Sequence, residues 1–145
     1  MTEREKVCFK AYGKSNSVGG SGTSLPYNII DFNIGGGSYN TSTYKYTVAV
    51  AGTYLISYSY MKRYNNGTAT VALAVTRSGS TLFYNLSLNT ENILSTTIYS
   101  STIVKLEVGD IVWIRRSSGS ASVNYATYTT SEIKNAFWGI RLDWA

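Results

Sequence analysis

Residues 53–64 read Thr-Tyr-Leu-Ile-Ser-Tyr-Ser-Tyr-Met-Lys-Arg-Tyr, an alternating run of the kind that forms a long β-strand. Successive side chains of a strand point to opposite faces. Tyr54, Ile56 and Tyr58 therefore share one face, and Leu55, Ser57, Ser59 and Met61 share the other. An antiparallel strand with one wet face carries polar residues on that side. Leu55 and Met61 break that pattern, so both faces of this strand are expected to be covered, the first by a second sheet and the second by something outside the sandwich.

The same alternation extends along the chain in both directions. Val7 to Tyr12 reads as a first strand, Gly13 to Ser24 as a polar loop built around Gly19-Gly20-Ser21-Gly22, and Tyr27 to Asn33 as a short strand. Gly35-Gly36-Gly37 is a turn in which a glycine takes positive φ. Tyr44, Tyr46, Val48 and Val50 fall on one face of the next strand, which stops at Ala51-Gly52. Beyond Thr53 to Tyr64, Asn65-Asn66-Gly67 carries a hairpin signal. Thr68 to Arg77, Thr81 to Leu88, Leu94 to Val108 and Ile111 to Ser117 follow as strands, and Ser122 to Thr129 is expected to pair with the last of these across Ser118-Gly119-Ser120. Ala136 to Trp144 closes the chain. Nine or ten strands, short turns and no stretch of helical period indicate one all-β sandwich or barrel over residues 1–145, with residues 1–6 as a lead-in.

Composition agrees. The chain of 145 residues is 43 % hydrophobic and only 14 % charged, which excludes a disordered chain. Thirteen tyrosines, with abundant Val, Ile and Thr, suit a pleated, half-buried surface. The formal charge of +5 gives a bias toward anionic partners. The basic residues are scattered, with Lys62-Arg63 and Arg115-Arg116 the adjacent pairs beyond the N-terminal stretch, so no specific nucleic-acid footprint is expected. Cys8 is the sole cysteine; it excludes an intramolecular disulfide and reads as a small residue of the first strand. No apolar stretch reaches the length of a membrane span, and Met1 to Lys6 is not a signal peptide.

Four segments, taken in order, resemble the globular-head family of complement C1q and the tumour necrosis factors. The first runs from Phe32 through Tyr39-Asn40 and Tyr46 to Ala51-Gly52-Thr53-Tyr54, with Val48 where the family usually has proline. The second is Val71-Ala72-Leu73 through Ser78-Gly79, with Ser78 where the family has asparagine. The third, Ile98-Tyr99 and Val104-Lys105-Leu106-Glu107-Val108-Gly109-Asp110-Ile111-Val112-Trp113-Ile114, matches a Leu-x-x-Gly-Asp-x-Val-Trp signature. The fourth, Phe137-Trp138-Gly139-Ile140-Arg141-Leu142, resembles a closing Phe-x-Gly-x-x-Leu. The resemblance implies a ten-stranded jelly roll of two five-stranded sheets, packed as a compact homotrimer in which a neighbouring subunit covers the second face of the 53–64 strand.

On that basis the expected trimer interface comprises Leu55, Ser57, Tyr99, Trp113 and Phe137. Tyr99 matches an axial tyrosine of the tumour necrosis factors. Trp113 is opposite in parity to Val112 and Ile114, and Phe137 is expected to face the threefold axis while Trp138, Ile140 and Leu142 fill the sandwich. Glu107 and Asp110 receive a structural role at the turn before Ile111.

The chemistry of catalysis is missing. The chain has no histidine, which removes the Ser-His-Asp and Cys-His systems and the commonest zinc ligand. The glycine-rich turns lack the Gly-Lys-Ser/Thr ending of a phosphate loop, and the eight acidic residues show no catalytic or calcium-binding spacing. No cofactor or metal is expected. Sequons at Asn40, Asn66 and Asn85 matter only in a eukaryotic secretory setting.

The function expected is that of a non-enzymatic trimeric head, extracellular or on a virion surface, which binds a glycan, an anionic surface or a protein receptor through the loops near Gly13 to Ser24, Lys62 to Thr68 and Ser117 to Ser122. Two alternatives stand beside it: a structural decoration or fibre-head protein of a virion within a capsid or fibre assembly, and a soluble cytokine-like ligand. None of the three inserts into a membrane.

Overall fold

A computed structural model of the chain describes residues 6–13, 16–17, 22–63, 69–89, 95–119, 124–126 and 135–143. Twelve strands lie among them: β1 (Cys8–Tyr12), β2 (Asn16–Ser17), β3 (Ile29–Ile34), β4 (Ser38–Asn40), β5 (Lys45–Thr47), β6 (Gly52–Arg63), β7 (Ala69–Arg77), β8 (Ser80–Asn89), β9 (Ser95–Leu106), β10 (Ile111–Gly119), β11 (Asn124–Ala126) and β12 (Ala136–Arg141). They form two antiparallel sheets stacked as a jelly roll. The first carries β3-β1-β12-β6-β9, with β11 and β2 added beside the far end of β6, and the second carries β4-β5-β10-β7-β8. The two added strands are short, so the sandwich keeps a five-strand width over most of its length.

The core fills from alternate residues of both sheets. Tyr54, Ile56, Tyr58 and Tyr60 of β6 meet Phe9 of β1, Phe137 of β12, Tyr46 of β5, Val71, Leu73 and Val75 of β7, and Val112 and Ile114 of β10. Aromatic packing organises the centre: Phe9 stacks on Tyr46 at 3.9 Å between ring centroids and meets Phe137 edge-on at 5.0 Å. In so tyrosine-rich a core backbone carbonyls accept most of the hydroxyls, while buried Tyr46 Oη has no partner among the described residues. Tyr27 donates to Ser59 O and Tyr39 to Tyr27 O, both at 2.6 Å, and Tyr54 donates to Val50 O at 2.6 Å. Gly139 is required by this packing, because a Cβ there would stand 2.6 Å from Ile56 Cδ1 and 2.7 Å from the Phe9 ring.

Three sequence expectations are corrected. The run around Tyr44 to Val50 yields only the short strand Lys45–Thr47, because Tyr44 turns the chain with a φ of 62°. Asn65-Asn66-Gly67 lies outside the described residues, and its flanking strands β6 and β7 belong to different sheets, so they form no hairpin with each other. Nor does β11 pair with β10; it pairs with β2 and β6 in the first sheet, while β10 lies between β5 and β7 in the second. A turn signal marks where a chain reverses, and in a sandwich such a reversal can cross between sheets as well as join paired neighbours. The hairpin at Ser78-Gly79 does join paired neighbours, β7 and β8. Gly35 and Gly36 take φ of 96° and 90°, as the glycine turn requires.

Candidate assembly face

The outer face of the first sheet is built from the residues that alternate with the core set. Register across β3, β1, β12, β6 and β9 aligns Ile34, Cys8, Ile140, Leu55 and Ile103 in one row. The next row holds Phe32, Lys10, Trp138, Ser57 and Ser101, and Tyr99 stands beside Ser59 in the row beyond. The first row is apolar across five strands, roughly 19 Å at the usual interstrand spacing. Several of these side chains are open to solvent in the single chain: Tyr99 is 76 % exposed, Ile103 61 % and Ile34 49 %. Monomeric soluble proteins rarely leave so continuous an apolar surface uncovered.

Relief on this face is uneven. Between β3, β1 and β12 it sinks into a groove of about 220 Å³ lined by Cys8, Lys10, Phe32, Trp138 and Ile140 among others. Toward β9 it rises into Tyr99 and Ile103. The middle is kept low by small residues: Ser101 Oγ donates to Ser57 Oγ at 2.9 Å, and Ser57 Oγ donates to Ser100 O at 3.1 Å.

Of the five residues expected at an interface, three share this face: Leu55, Ser57 and Tyr99. Two do not. Phe137 has no exposed surface and sits in the core against Phe9, Tyr27 and Tyr39, so the expected parity of β12 is reversed. Trp138 and Ile140 take the outer face instead. The sign of the strand follows from its neighbour: β12 pairs with β6 so that Phe137 lies opposite Tyr58 and Gly139 opposite Ile56, both core residues. Trp113 lies on the outer face of the second sheet, on the far side of the molecule, 7 % exposed beneath the Lys45 ammonium at 4.2 Å from its ring. Ile103, Ile34 and Phe32 were missed; their alternation was visible, but only pairing of β3 and β9 into the same sheet as β6 reveals a shared face.

The Gly109-Asp110 turn is an internal tie. Buried Asp110 receives both Arg77 Nε at 2.8 Å and Arg77 Nη2 at 2.7 Å, together with the Glu107 backbone N–H at 2.8 Å. These hydrogen bonds, Arg77 foremost, hold the Asp110 carboxyl below its ordinary range. The pair joins the end of β7 to the β9–β10 turn, the structural role the resemblance assigns to Asp110. Among the described residues no group of three Cys, Asp or Glu side chains is placed to hold a metal ion, and no helix is long and apolar enough to cross a membrane.

The family model for the C1q domain matches residues 8–140. Solved structures share the fold at low identity. The Eiger TNF of S. frugiperda aligns with a TM-score of 0.70 at 13 % identity, covering 98 % of this chain and 96 % of that one. Murine APRIL aligns with a TM-score of 0.72 at 11 % identity, over 96 % of this chain and 100 % of that one. The globular domain of zebrafish complement 1qA aligns with a TM-score of 0.68 at 17 % identity, over 95 % and 98 %. No curated protein sequence is significantly similar to the chain.

Proposed function

The chain belongs to the C1q domain family, and from that premise we propose that it is a homotrimeric, non-enzymatic binding head whose subunits meet through the outer face of the first sheet. Domains of this family are typically trimeric, extracellular modules that bind ligands or receptors. The observation that carries the reading for this chain is the row Ile34, Cys8, Ile140, Leu55 and Ile103 with Tyr99 beyond it, apolar and open in one copy. Burying such a row contributes roughly 25 cal/mol for each Å² removed from water. The interface set is therefore Leu55, Ser57 and Tyr99 as expected from sequence, joined by Ile34, Ile103 and Ile140. Trp113 and Phe137 leave it.

A threefold assembly needs a head-to-tail contact between two different patches of each subunit. The raised β9 side and the recessed β1–β3–β12 side supply such a pair. Binding of a glycan, an anionic surface or a protein receptor then falls to surfaces turned away from the axis, where three copies convert weak single-site affinity into avidity. The loops expected to bind from sequence lie in part outside the described residues.

Light scattering on the purified chain at micromolar concentration tests the assembly. A mass of about 48 kDa, three times the 15.9 kDa of one chain, is expected, and a persistent 15.9 kDa species overturns it.

A further inference from the structure

We infer that the outer face of the second sheet is a binding surface for an acidic polysaccharide, with Lys45 and Arg115 as its anion contacts. The inference rests on the reading of the chain as a binding head and names the ligand class and the place.

Register puts two rows on this face. Ser38, Thr47, Ile111, Thr76 and Thr81 run side by side across all five strands. Two residues along, about 7 Å at strand rise, Trp113, Ala74 and Phe83 align, with Asn40 and Lys45 paired next to Trp113. Each aromatic ring carries a cation. The Lys45 ammonium lies 4.2 Å from the Trp113 ring centroid, and the Arg115 guanidinium lies 4.7 Å from that of Phe83. Trp113 is itself fixed, its Nε1–H donating to Thr76 Oγ1 at 3.1 Å, with Thr81 Oγ1 3.0 Å from Thr76 Oγ1. Ala72 and Ala74 keep the floor between the cations low.

Among the described residues, no carboxylate compensates the charges on this face. Among the described residues the carboxylates are Asp31 on β3, Glu107 and Asp110 at the β9–β10 turn, and Asp143 after β12, none of them in these rows. Neither Lys45 nor Arg115 has an ion pair among the described residues; Arg115 Nε is buried and is not itself an anion contact, which leaves that part to the end of the guanidinium. Cations held on rings have lost part of their side-chain freedom, so an incoming anion meets donors that need little further ordering. Guanidinium and ammonium suit carboxylate or sulfate, and the hydroxyl row beside them suits the neutral hydroxyls of a sugar. Two cations are too few for a track along a nucleic-acid backbone, which needs a clustered basic stripe. The face is also opposite the assembly face, so a threefold assembly leaves it outward on every copy, where weak contacts add along a polymer.

The test is binding to immobilised dextran sulfate at near-physiological salt, with uncharged dextran and single-stranded poly(dT) as the other arms. The native chain is expected to bind dextran sulfate more tightly than poly(dT) and to ignore dextran. Lys45→Gln with Arg115→Gln is expected to weaken binding at least about tenfold, while the charge-matched pair Lys6→Gln with Lys105→Gln weakens it less than about threefold. If the first pair fails to fold, each of its single substitutions is expected to lower affinity more than Lys6→Gln does. Equal losses in the two pairs, no binding by the native chain, or tighter binding to poly(dT) overturns the inference. A trimer that ignores dextran sulfate removes this site and leaves the assembly reading intact. A monomer that binds it through Lys45 and Arg115 does the reverse.

Discussion

At the scale of single residues, the core depends on neutral phenols. Burial, the largest cause in each case, raises the Tyr27 and Tyr39 hydroxyls above the ordinary tyrosine range, pushes Tyr46 up to about 12, and raises Tyr54. A raised folded pKa means that the unfolded chain releases these protons first. The stabilisation is therefore complete below about pH 10 and drains as pH rises from there through the folded values. Each such tyrosine withdraws up to about 1.4 kcal/mol per pH unit over that window. Urea midpoints are expected to hold steady between pH 7 and about 9.5 and to fall steeply above 10, with the part of the tyrosinate absorbance that belongs to the buried set appearing only as the protein unfolds. Tyrosinate absorbance near pH 10 of the full amplitude of all thirteen tyrosines, from a still-folded protein, would contradict the buried phenol core. The alternation of Tyr54, Ile56 and Tyr58 made part of this core legible in sequence. The acceptors were not legible: Tyr27 reaches Ser59 O across thirty-two residues, and no local pattern encodes that partner.

At the scale of elements, β12 shows what alternation tells and what it withholds. It separates Phe137 and Gly139 from Trp138 and Ile140, yet both sets are apolar enough to be inside, so the sign is undetermined until β12 pairs with β6. Glycine was the overlooked cue, since an inward Gly139 makes room for Ile56 and the Phe9 ring. The two faces give opposite mutational outcomes. Phe137→Ala is expected to cost about 3–5 kcal/mol of folding stability in urea denaturation, as large core truncations do. Tyr99→Asp is expected to leave the fold of the single chain nearly unchanged, because the native side chain is already exposed there, while lowering the scattering mass toward one subunit. Equal effects of the two substitutions on both readouts would show that the faces had been wrongly assigned. The strand positions themselves were mostly legible, because β6, β7, β8 and β9 are long and rich in apolar and β-branched residues. Short β2, β4, β5 and β11 were blurred or merged, having too few residues to establish a period.

At the scale of the whole molecule, the architecture places unlike surfaces back to back. The first sheet turns an apolar, uneven face outward, and the second turns outward a face with cations held on Trp113 and Phe83. The sandwich and its family were legible because Gly109-Asp110, Trp113 and Gly139 stand in order at sites where a turn, a packed outer ring and a crowded core each demand a particular residue. Sheet membership was not, because whether a turn closes a hairpin or crosses to the other layer is decided by pairing far along the chain, as β11 shows by joining β2 and β6. Cys8 offers a built-in reporter of the central claim, since it lies in the groove of the first sheet's outer face and is the sole thiol of the chain. The decisive measurement is its rate of reaction with a water-soluble thiol reagent in native protein and in Tyr99→Asp at equal concentration. Coverage of that face by sister copies predicts that native Cys8 reacts at least about tenfold more slowly than Cys8 of the dissociated variant; equal, fast rates in both proteins would contradict it.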